Sequence, residues 1–240
     1  MKLNMKKIVF LTGAGMSVES GLSTFRGGNG LWDEYPVEMV ATLEGFRSNP
    51  ALVLEFYNKR RKELATVVPN LGHELIATLE DVYEVTVVTQ NVDDLHERAG
   101  SSHVIHLHGE LMKACSSLEP QNISYLHSFS SPLEEISIGD QATDGSQLRP
   151  YIVWFGEAVP MMSDAISALR KGIDIFIIIG TSLNVYPAAG LLNYVPVDVP
   201  VYLIDPNEVH VNGVRNVTVI RKGASEGMRL LLDNHLSKMK

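Results

Sequence analysis

Uninterrupted runs of apolar, largely β-branched residues recur along this chain between segments of helical character, and they restrict its fold more than any other feature. Residues 83–89 and 173–180 are the clearest, because neither shows a regular alternation of apolar and polar side chains. A strand without a polar face is buried on both sides, which is typical of a parallel sheet covered by helices. The pattern predicts an α/β fold with a doubly wound parallel sheet.

The composition excludes several classes of protein. The 240 residues suffice for one large core, or for a large domain with a smaller one inserted. The formal net charge of −8 argues against nucleic acid as a partner. No apolar run is long enough to span a bilayer, and residues 1–11 lack the apolar core and cleavage site of a secretory signal. We therefore expect a cytoplasmic protein with no membrane partner.

The segment at residues 89–110, TQNVDDLHERAGSSHVIHLHGE, concentrates the polar residues best placed for a site. Gln90, Asn91 and Asp93 follow one predicted strand, and two histidines close the next. In open α/β sheets, ligands bind just outside the carboxyl ends of the strands. We expect both sets of side chains to converge on one pocket.

The first predicted strand, residues 7–11, runs into a turn of small residues that contains Gly13 and Gly15. Such a turn before a helix brings backbone N–H groups close to a pyrophosphate. The dinucleotide fingerprint requires a glycine where this chain has Val18, and no acidic strand end follows about 20 residues on. A plain dehydrogenase is therefore disfavoured, and the turn by itself also fits an ordinary strand-to-helix connection.

A helix is predicted to begin after Asn49 as its N-cap, with Pro50 at its first position. Its apolar stripe comprises Val53, Phe56, Tyr57 and Leu64. Arg60 falls on the same stripe, where a charge is costly unless it meets an anion or reaches water. Two interpretations remain: an arginine that extends to solvent at the helix edge, or a Tyr57–Arg60 pair that faces an acidic ligand.

Seven short motifs, in this order along the chain, resemble those of the sirtuins. They are Gly13-Ala14-Gly15-Met16-Ser17, Ser20-Gly21-Leu22, Phe25-Arg26-Gly27, Thr89-Gln90-Asn91-Val92-Asp93, His108-Gly109-Glu110, Phe155-Gly156-Glu157 and Gly180-Thr181-Ser182-Leu183. Any one motif is a weak indication, but the ordered set spans nearly the whole chain. The chain looks most like bacterial sirtuins.

This resemblance implies a Rossmann-like domain that binds NAD and a small domain formed by two insertions. The first would comprise residues 1–27, 66–110 and 150–240, and the second residues 28–65 and 111–149. It also implies that acyl groups are removed from the lysines of proteins or peptides. NAD would be consumed, and nicotinamide and O-acyl-ADP-ribose would be released.

The resemblance also assigns catalytic roles. His108 resembles the general base, and a near-neutral imidazole is suited to taking a proton from a ribose hydroxyl. His106 is the rival, since residues two apart on a strand face the same side; we favour His108 because it directly precedes Gly109-Glu110, as the base of the family does. Asn91 and Asp93 would hold the nicotinamide carboxamide.

The remaining contacts follow the same resemblance. NAD contacts are assigned to Gly13, Ala14, Gly15, Ser17, Phe25, Arg26, Gln90, Asn91, Val92, Asp93, Gly180, Thr181, Ser182, Asn207 and Ala224. Substrate contacts are assigned to Tyr57, Arg60, Val153, Phe155, Gly156, Glu157, Val185 and Tyr186. Among these, Phe25 would shield the reacting ribose, Arg26 would bind the phosphates, and the peptide would lie extended between residues 153–157 and 183–186.

Tyr57 and Arg60 match the Tyr-x-x-Arg pair of class III sirtuins, which recognises the acidic end of succinyl- or malonyl-lysine. Gly28 stands where those enzymes carry a small residue that enlarges the acyl pocket. We therefore predict desuccinylation and demalonylation, with deacetylation as a further activity.

The chain departs from the family at two places. Most sirtuins hold a structural zinc with four cysteines, whereas Cys115 is the only cysteine here. One thiolate with scattered partners such as His127 and Asp140 does not make a tetrahedral site, so we predict no zinc. Leu203 stands where related enzymes place an asparagine near the adenosine ribose.

Without zinc, the second insertion must be held by packing or stay partly mobile. The residues predicted to pack are Ile123, Tyr125, Leu126, Phe129, Leu133 and Ile136. Two other functions remain open for the chain: a sensor that binds NAD or acyl-peptide without turnover, and a mono-ADP-ribosyltransferase.

Overall fold

The computed structural model describes residues 5–23, 35–211 and 216–236. Within these residues the strands are β1 (Lys7–Thr12), β2 (Glu84–Thr89), β3 (Val104–His106), β4 (Gly109–Ser116), β5 (His127–Ser128), β6 (Leu148–Ile152), β7 (Ile175–Ile179), β8 (Val201–Ile204) and β9 (Val217–Ile220). The α-helices are α1 (Val37–Val40), α2 (Leu43–Ser48), α3 (Pro50–Glu63), α4 (Leu71–Thr78), α5 (Leu95–Ala99), α6 (Met162–Arg170) and α7 (Ala224–Leu231). Among the shorter 3-10 helices are Ala14–Met16 and Ala188–Tyr194, and a π-helical turn, Leu232–Leu236, follows α7.

Six strands form one sheet in the order β3-β2-β1-β7-β8-β9, and every neighbouring pair in it is parallel. The predicted doubly wound sheet is therefore confirmed. The chain leaves β1 towards β2 on one side and enters β7 on the other, so the strand order reverses beside β1. A crevice opens at such a point, outside the carboxyl ends of the strands.

Both faces of this sheet are covered, which explains why its strands are apolar throughout. Val9 and Leu11 pack with α6 and the 3-10 helix Ala188–Tyr194 on one face. Ile8 and Phe10 pack with α4 and α7 on the other. Each of these side chains is almost fully buried, which stabilises the fold by about 1.5–3 kcal/mol per side chain.

A smaller antiparallel sheet has the order β5-β4-β6 and packs with α1, α2 and α3 around a third core. Strand β4 begins directly after His108, and β6 ends directly before Val153. The chain therefore passes from the large sheet to the small one, and returns, beside the crevice. The exact residues at which the chain divides into two domains stay a prediction.

Helix α3 begins as its sequence predicts. The side chain of Asn49 accepts a hydrogen bond from the Leu52 N–H at 3.1 Å, and Pro50 occupies the first turn. An N-cap of this kind stabilises a helix by about 1 kcal/mol relative to alanine. The cap places Tyr57 and Arg60 one turn apart on the buried side of α3.

The second insertion is held differently from the prediction. Ile136 is buried, but Ile123 and Leu133 are 78% and 63% exposed, so their predicted packing was wrong. Hydrogen bonds from α3 hold this segment instead. Asn58 exchanges two hydrogen bonds with the backbone of Ile136, and Arg61 donates to the carbonyl oxygens of Leu111 and Glu134 at 2.9 and 2.8 Å.

Membrane-spanning helices and metal-binding clusters are both absent from the described residues. None of the helices found there has both the length and the apolar character needed to cross a bilayer. Within those same ranges, no group of three or more His, Cys, Asp and Glu side chains is arranged to hold a metal ion.

Candidate active site

A cavity of about 420 Å³ opens at the carboxyl ends of β1, β2, β7 and β8 and extends to the helices of the small domain. The sequence-predicted residues that line it are Gly13, Ala14, Gly15, Tyr57, Arg60, Gln90, Asn91, Val92, His108, Val153, Phe155, Gly156, Glu157, Gly180, Thr181, Ser182, Val185, Tyr186 and Asn207. Ser17, Asp93 and Ala224 do not line it: the first two lie behind Asn91, and Ala224 is buried under the sheet. Phe25, Arg26 and Gly28 lie outside the described residues.

The floor of the cavity is made of backbone. The N–H of Gly15 donates to the carbonyl oxygen of Gly180 at 2.9 Å. A Cβ added to Gly15 would lie 2.6 Å from the Gly180 Cα, and Gly180 has a φ of 61°. Side chains at these positions would push the two loops apart, so glycine is required for their close approach. The result is a small-residue cradle of the kind that admits a pyrophosphate.

Asn91 is fixed by a buried chain of hydrogen bonds. Its Nδ2 donates to Ser17 Oγ at 3.1 Å, and that hydroxyl donates to Asp93 Oδ2 at 3.0 Å. Asp93 Oδ1 accepts from the Leu95 N–H at 3.2 Å. Burial raises the pKa of Asp93, although these hydrogen bonds oppose the shift. The Oδ1 of Asn91 has no hydrogen-bond partner among the described residues, so it is available to a donor in the cavity.

His108 is arranged as a base. Its Nδ1 lies 3.1 Å from the Gln90 carbonyl oxygen. A carbonyl oxygen only accepts, so Nδ1 carries the hydrogen and Nε2 keeps its lone pair. Burial lowers the pKa of His108, partly offset by the hydrogen bond to Gln90. The neutral form therefore dominates at neutral pH.

His106 occupies a different position, because β3 ends at this residue and the alternation of strand side chains does not extend to His108. Its Nδ1 lies 3.0 Å from the Asn91 carbonyl oxygen and its Nε2 lies 2.7 Å from Glu97 Oε1. With both ring nitrogens bound within the protein and none of its atoms lining the cavity, His106 is not placed to act on a ligand.

Tyr57 and Arg60 lie at the end of the cavity that the small domain encloses. The Tyr57 hydroxyl oxygen accepts from Trp154 Nε1 at 3.1 Å, and burial raises its pKa to about 12. Arg60 is only 6% exposed, and its Nε lies 3.9 Å from Glu63 Oε2. Burial lowers the pKa of Arg60, while Glu63, Tyr57 and Asp93 oppose the shift. A guanidinium keeps its charge in proteins, so this end of the cavity is cationic.

The walls between His108 and Arg60 are apolar. They are formed by Val37, Ala41, Phe56, Leu111, Ile152 and Trp154. An apolar sleeve that ends in a hydroxyl and a guanidinium matches a short aliphatic chain with an acidic end.

Some cavity residues were missed in the sequence. Asp205 follows β8 directly and lines the cavity, with its Oδ1 accepting from the Asn207 N–H at 2.8 Å. Leu203, by contrast, is buried in the core. The rule that ligands lie beyond strand ends would have found Asp205. Arg149 does not line the cavity, but its role was also missed: it donates two hydrogen bonds to the lining residue Glu157, at 2.9 and 2.8 Å. No local pattern signals that pair.

Comparisons with known proteins agree with this geometry. The profile of the Sir2 family matches residues 13–187. A protein of Bacteroides thetaiotaomicron named NAD-dependent protein deacylase is 62% identical over 227 residues, which cover 95% of this chain and 97% of the relative.

Solved structures give the same result. A Sir2 homologue in complex with ADP-ribose superposes with a TM-score of 0.86 at 36% identity, covering 98% of this chain and 94% of the other. A Sir2 homologue in complex with NAD has a TM-score of 0.84 at 35% identity, covering 99% and 92%. This chain belongs to the Sir2 family, the sirtuins.

Proposed function

We propose that this protein removes acidic acyl groups, succinyl and malonyl, from protein lysines, with deacetylation as a further activity. As a sirtuin whose relative is a named deacylase, the chain is an NAD-dependent protein-lysine deacylase. The proposal concerns the acyl preference and the roles of the site residues. It also concerns the products, which would be nicotinamide and O-acyl-ADP-ribose.

The residues present fit NAD. The glycine cradle would receive the pyrophosphate, where any Cβ would collide with backbone. Gln90 and His108 line the cavity nearby. The Oδ1 of Asn91 would accept from the nicotinamide carboxamide, and Asp93 would hold Asn91 through Ser17. Asp205 at the end of β8 would accept from the hydroxyls of the adenosine ribose.

Bound NAD would supply an anomeric carbon, and its bond to nicotinamide would break as the acyl carbonyl oxygen bonds to that carbon. A carbonyl oxygen is a weak nucleophile, so positioning must supply much of the acceleration. The apolar sleeve would hold the acyl-lysine with its carbonyl at the ribose. His108 would then take a proton from a ribose hydroxyl at Nε2, since its Nδ1 is bound to Gln90. We expect this step to contribute about 10²–10⁴-fold.

The acyl preference rests on one observation: a buried guanidinium lines an apolar cavity. Arg60 carries charge with little exposure, and its Nε lies 3.9 Å from Glu63 Oε2. An acyl carboxylate would bring an anion within reach of this cation and of the Tyr57 hydroxyl. Charge-assisted hydrogen bonds of this type are about twice as strong as neutral ones. An acetyl group offers neither contact.

The peptide would lie at the mouth of the cavity, between residues 153–157 and 183–186. Phe155 and Tyr186 are exposed there. The Phe155 N–H donates to the Ala41 carbonyl oxygen at 2.9 Å, which ties this loop to the small domain. An extended peptide would add to it as a strand does to a sheet edge.

Mass spectrometry of the products from NAD and a panel of acetyl-, malonyl- and succinyl-lysine peptides tests the proposal. We expect nicotinamide release and the matching O-acyl-ADP-ribose, with acidic acyl groups turned over most efficiently. Arg60→Ala should reduce kcat/KM for the succinyl peptide at least tenfold, whereas Arg47→Ala, an exposed arginine on α2, should not. If Arg60→Ala and Tyr57→Phe both keep full turnover of the succinyl peptide, the acyl preference is wrong.

The same experiment distinguishes other functions. Binding without nicotinamide release would identify a sensor. Transfer of label from NAD to protein would identify a mono-ADP-ribosyltransferase.

A further inference from the structure

The Tyr57 hydroxyl is held in one hydrogen-bonding arrangement. Its oxygen accepts from the indole N–H of Trp154 at 3.1 Å. Among the described residues it has no protein acceptor for its own hydrogen, and Tyr57 lines the cavity. An indole N–H only donates, so the phenol cannot turn its hydrogen towards Trp154. The hydrogen is left to point to whatever occupies the cavity.

Trp154 is itself buried and contacted on several sides. It is 1% exposed, and the Arg149 guanidinium lies 3.8 Å above its ring. Arg149 is held by two hydrogen bonds to the Glu157 carboxylate, which also accepts from the Trp154 backbone N–H at 2.8 Å. Phe46 packs against the indole with a centroid distance of 5.2 Å. The orientation of the indole N–H is therefore set by Arg149 and Phe46, which do not line the cavity, and by Glu157, which does.

We infer that Trp154 is a specificity-determining positioning residue: its indole N–H directs the Tyr57 hydroxyl hydrogen at the carboxylate of an acidic acyl group, and the Arg149–Glu157 pair holds the indole in place. This inference rests on the proposed preference for acidic acyl groups. According to this inference, the Tyr57 hydroxyl is the second donor to the acyl carboxylate, beside Arg60. Its direction is fixed by a network that comprises Tyr57, Trp154, Arg149 and Glu157.

Two physical effects follow from the Trp154 hydrogen bond. The phenol loses rotational freedom before substrate arrives, so less entropy is lost on binding. A hydroxyl that accepts one hydrogen bond also becomes a stronger donor of another. Both effects act only on a substrate with an acceptor at the end of its acyl chain. An acetyl group ends in a methyl, so it gains from neither.

A double-mutant cycle tests the inference. The variants are Trp154→Phe, Tyr57→Phe and the double variant, measured with NAD and a succinyl-lysine peptide and, for affinity, by fluorescence polarisation with labelled succinyl- and acetyl-lysine peptides. We expect each single variant to raise KM for the succinyl peptide about five- to tenfold with a smaller change in kcat. The double variant should be no worse than Tyr57→Phe alone, because Trp154 acts through that hydroxyl.

Phe176→Leu is the matched control, since it loosens a buried core that does not include Trp154 and leaves the indole and its packing in place. It should change the affinities for both peptides by similar factors, whereas Trp154→Phe should lower the ratio of succinyl to acetyl affinity. Circular dichroism melting of each variant shows whether it is folded.

Each failure points to a different error. If Tyr57→Phe impairs succinyl binding and Trp154→Phe does not, the inference is wrong and the proposed function stands. Additive effects in the cycle, or equal losses on both peptides in Trp154→Phe, also overturn the inference. If neither Tyr57→Phe nor Arg60→Ala affects the succinyl peptide, the proposed acyl preference falls and the inference falls with it.

Discussion

The Nε2 of His106 lies 2.7 Å from Glu97 Oε1, while its Nδ1 lies 3.0 Å from the carbonyl oxygen of Asn91. Burial favours a neutral ring, but the hydrogen bond and the charge of Glu97 outweigh it and raise the pKa of His106. Burial likewise raises the pKa of Glu97, but His106 outweighs it and the net shift is downward. Both ring nitrogens face oxygen acceptors, which favours a doubly protonated, charged ring, and the pair ties α5 to the backbone of the residue that we assign to nicotinamide.

Glu97→Gln should destabilise the protein more at pH 6 than at pH 9. A histidine whose folded pKa is raised contributes stability that is complete below its unfolded pKa, about 6.5, and that is lost as pH rises through the folded value. Glu97→Gln removes the carboxylate that raises the pKa of His106. We expect a loss of about 1–2 kcal/mol at pH 6, discounted because Glu97 is partly exposed.

Urea denaturation at the two pH values measures this difference. Glu74→Gln, at an exposed position of α4, is the control. Equal losses from Glu97→Gln at pH 6 and pH 9 would show that the His106–Glu97 pair is not ionic.

His108→Ala should reduce kcat by about 10²–10⁴-fold while leaving the melting temperature nearly unchanged. Burial lowers the pKa of His108. As the pH is lowered, the wild-type kcat/KM should therefore reach half of its maximum at a pH below the ordinary histidine pKa of about 6.5. Rates of nicotinamide release between pH 5 and 9 measure the kcat of the variant and the acid side of the wild-type profile. His103→Ala, at an exposed position, is the control; an acid limb above 6.5 would contradict the role assigned to His108.

Arg61→Ala should lower the free energy of unfolding by about 3 kcal/mol, because two backbone carbonyl oxygens would lose a charged donor in a buried place. These are the carbonyls of Leu111 and Glu134, and the Arg61 guanidinium also lies 4.0 Å over the ring of Phe129. Lys62→Ala removes the neighbouring surface pair with Glu135 and should cost about 0.5 kcal/mol. Similar losses in the two variants, by urea denaturation, would refute the role of Arg61.

Metal removal should have no effect on stability. Cys115 is buried, burial raises the pKa of its thiol, and its Sγ lies 3.7 Å from the Pro150 carbonyl oxygen. A protonated thiol is a poor zinc ligand. We expect elemental analysis to find less than about 0.1 zinc per chain and the melting temperature to be the same with and without EDTA. Stoichiometric zinc, or melting at a lower temperature in EDTA, would contradict this prediction.

Local sequence features determined where the strands and helices of the chain lie. The apolar runs predicted the strands of a parallel sheet, because a strand without a polar face must be covered on both sides. Asn49 and Pro50 predicted where α3 begins, since an N-cap acts within one turn. The polar residues after β2 predicted the position of the cavity, because strand ends in such sheets meet at one edge.

Contacts between distant segments were decided by the tertiary structure. Which of His106 and His108 faces the cavity depends on where β3 ends and on the position of Glu97 in α5. Strand β8 ends at Ile204, so Leu203 stays within the sheet, whereas Asp205 follows the strand and reaches the cavity.

The hydrogen bond between Trp154 and Tyr57 joins residues 97 positions apart. By itself, the sequence determined which residue types follow the strands and line the cavity. Only the tertiary structure decided which nitrogen keeps a lone pair and which hydroxyl keeps a free hydrogen, because those properties depend on partners that the folded chain brings to 3.1 Å.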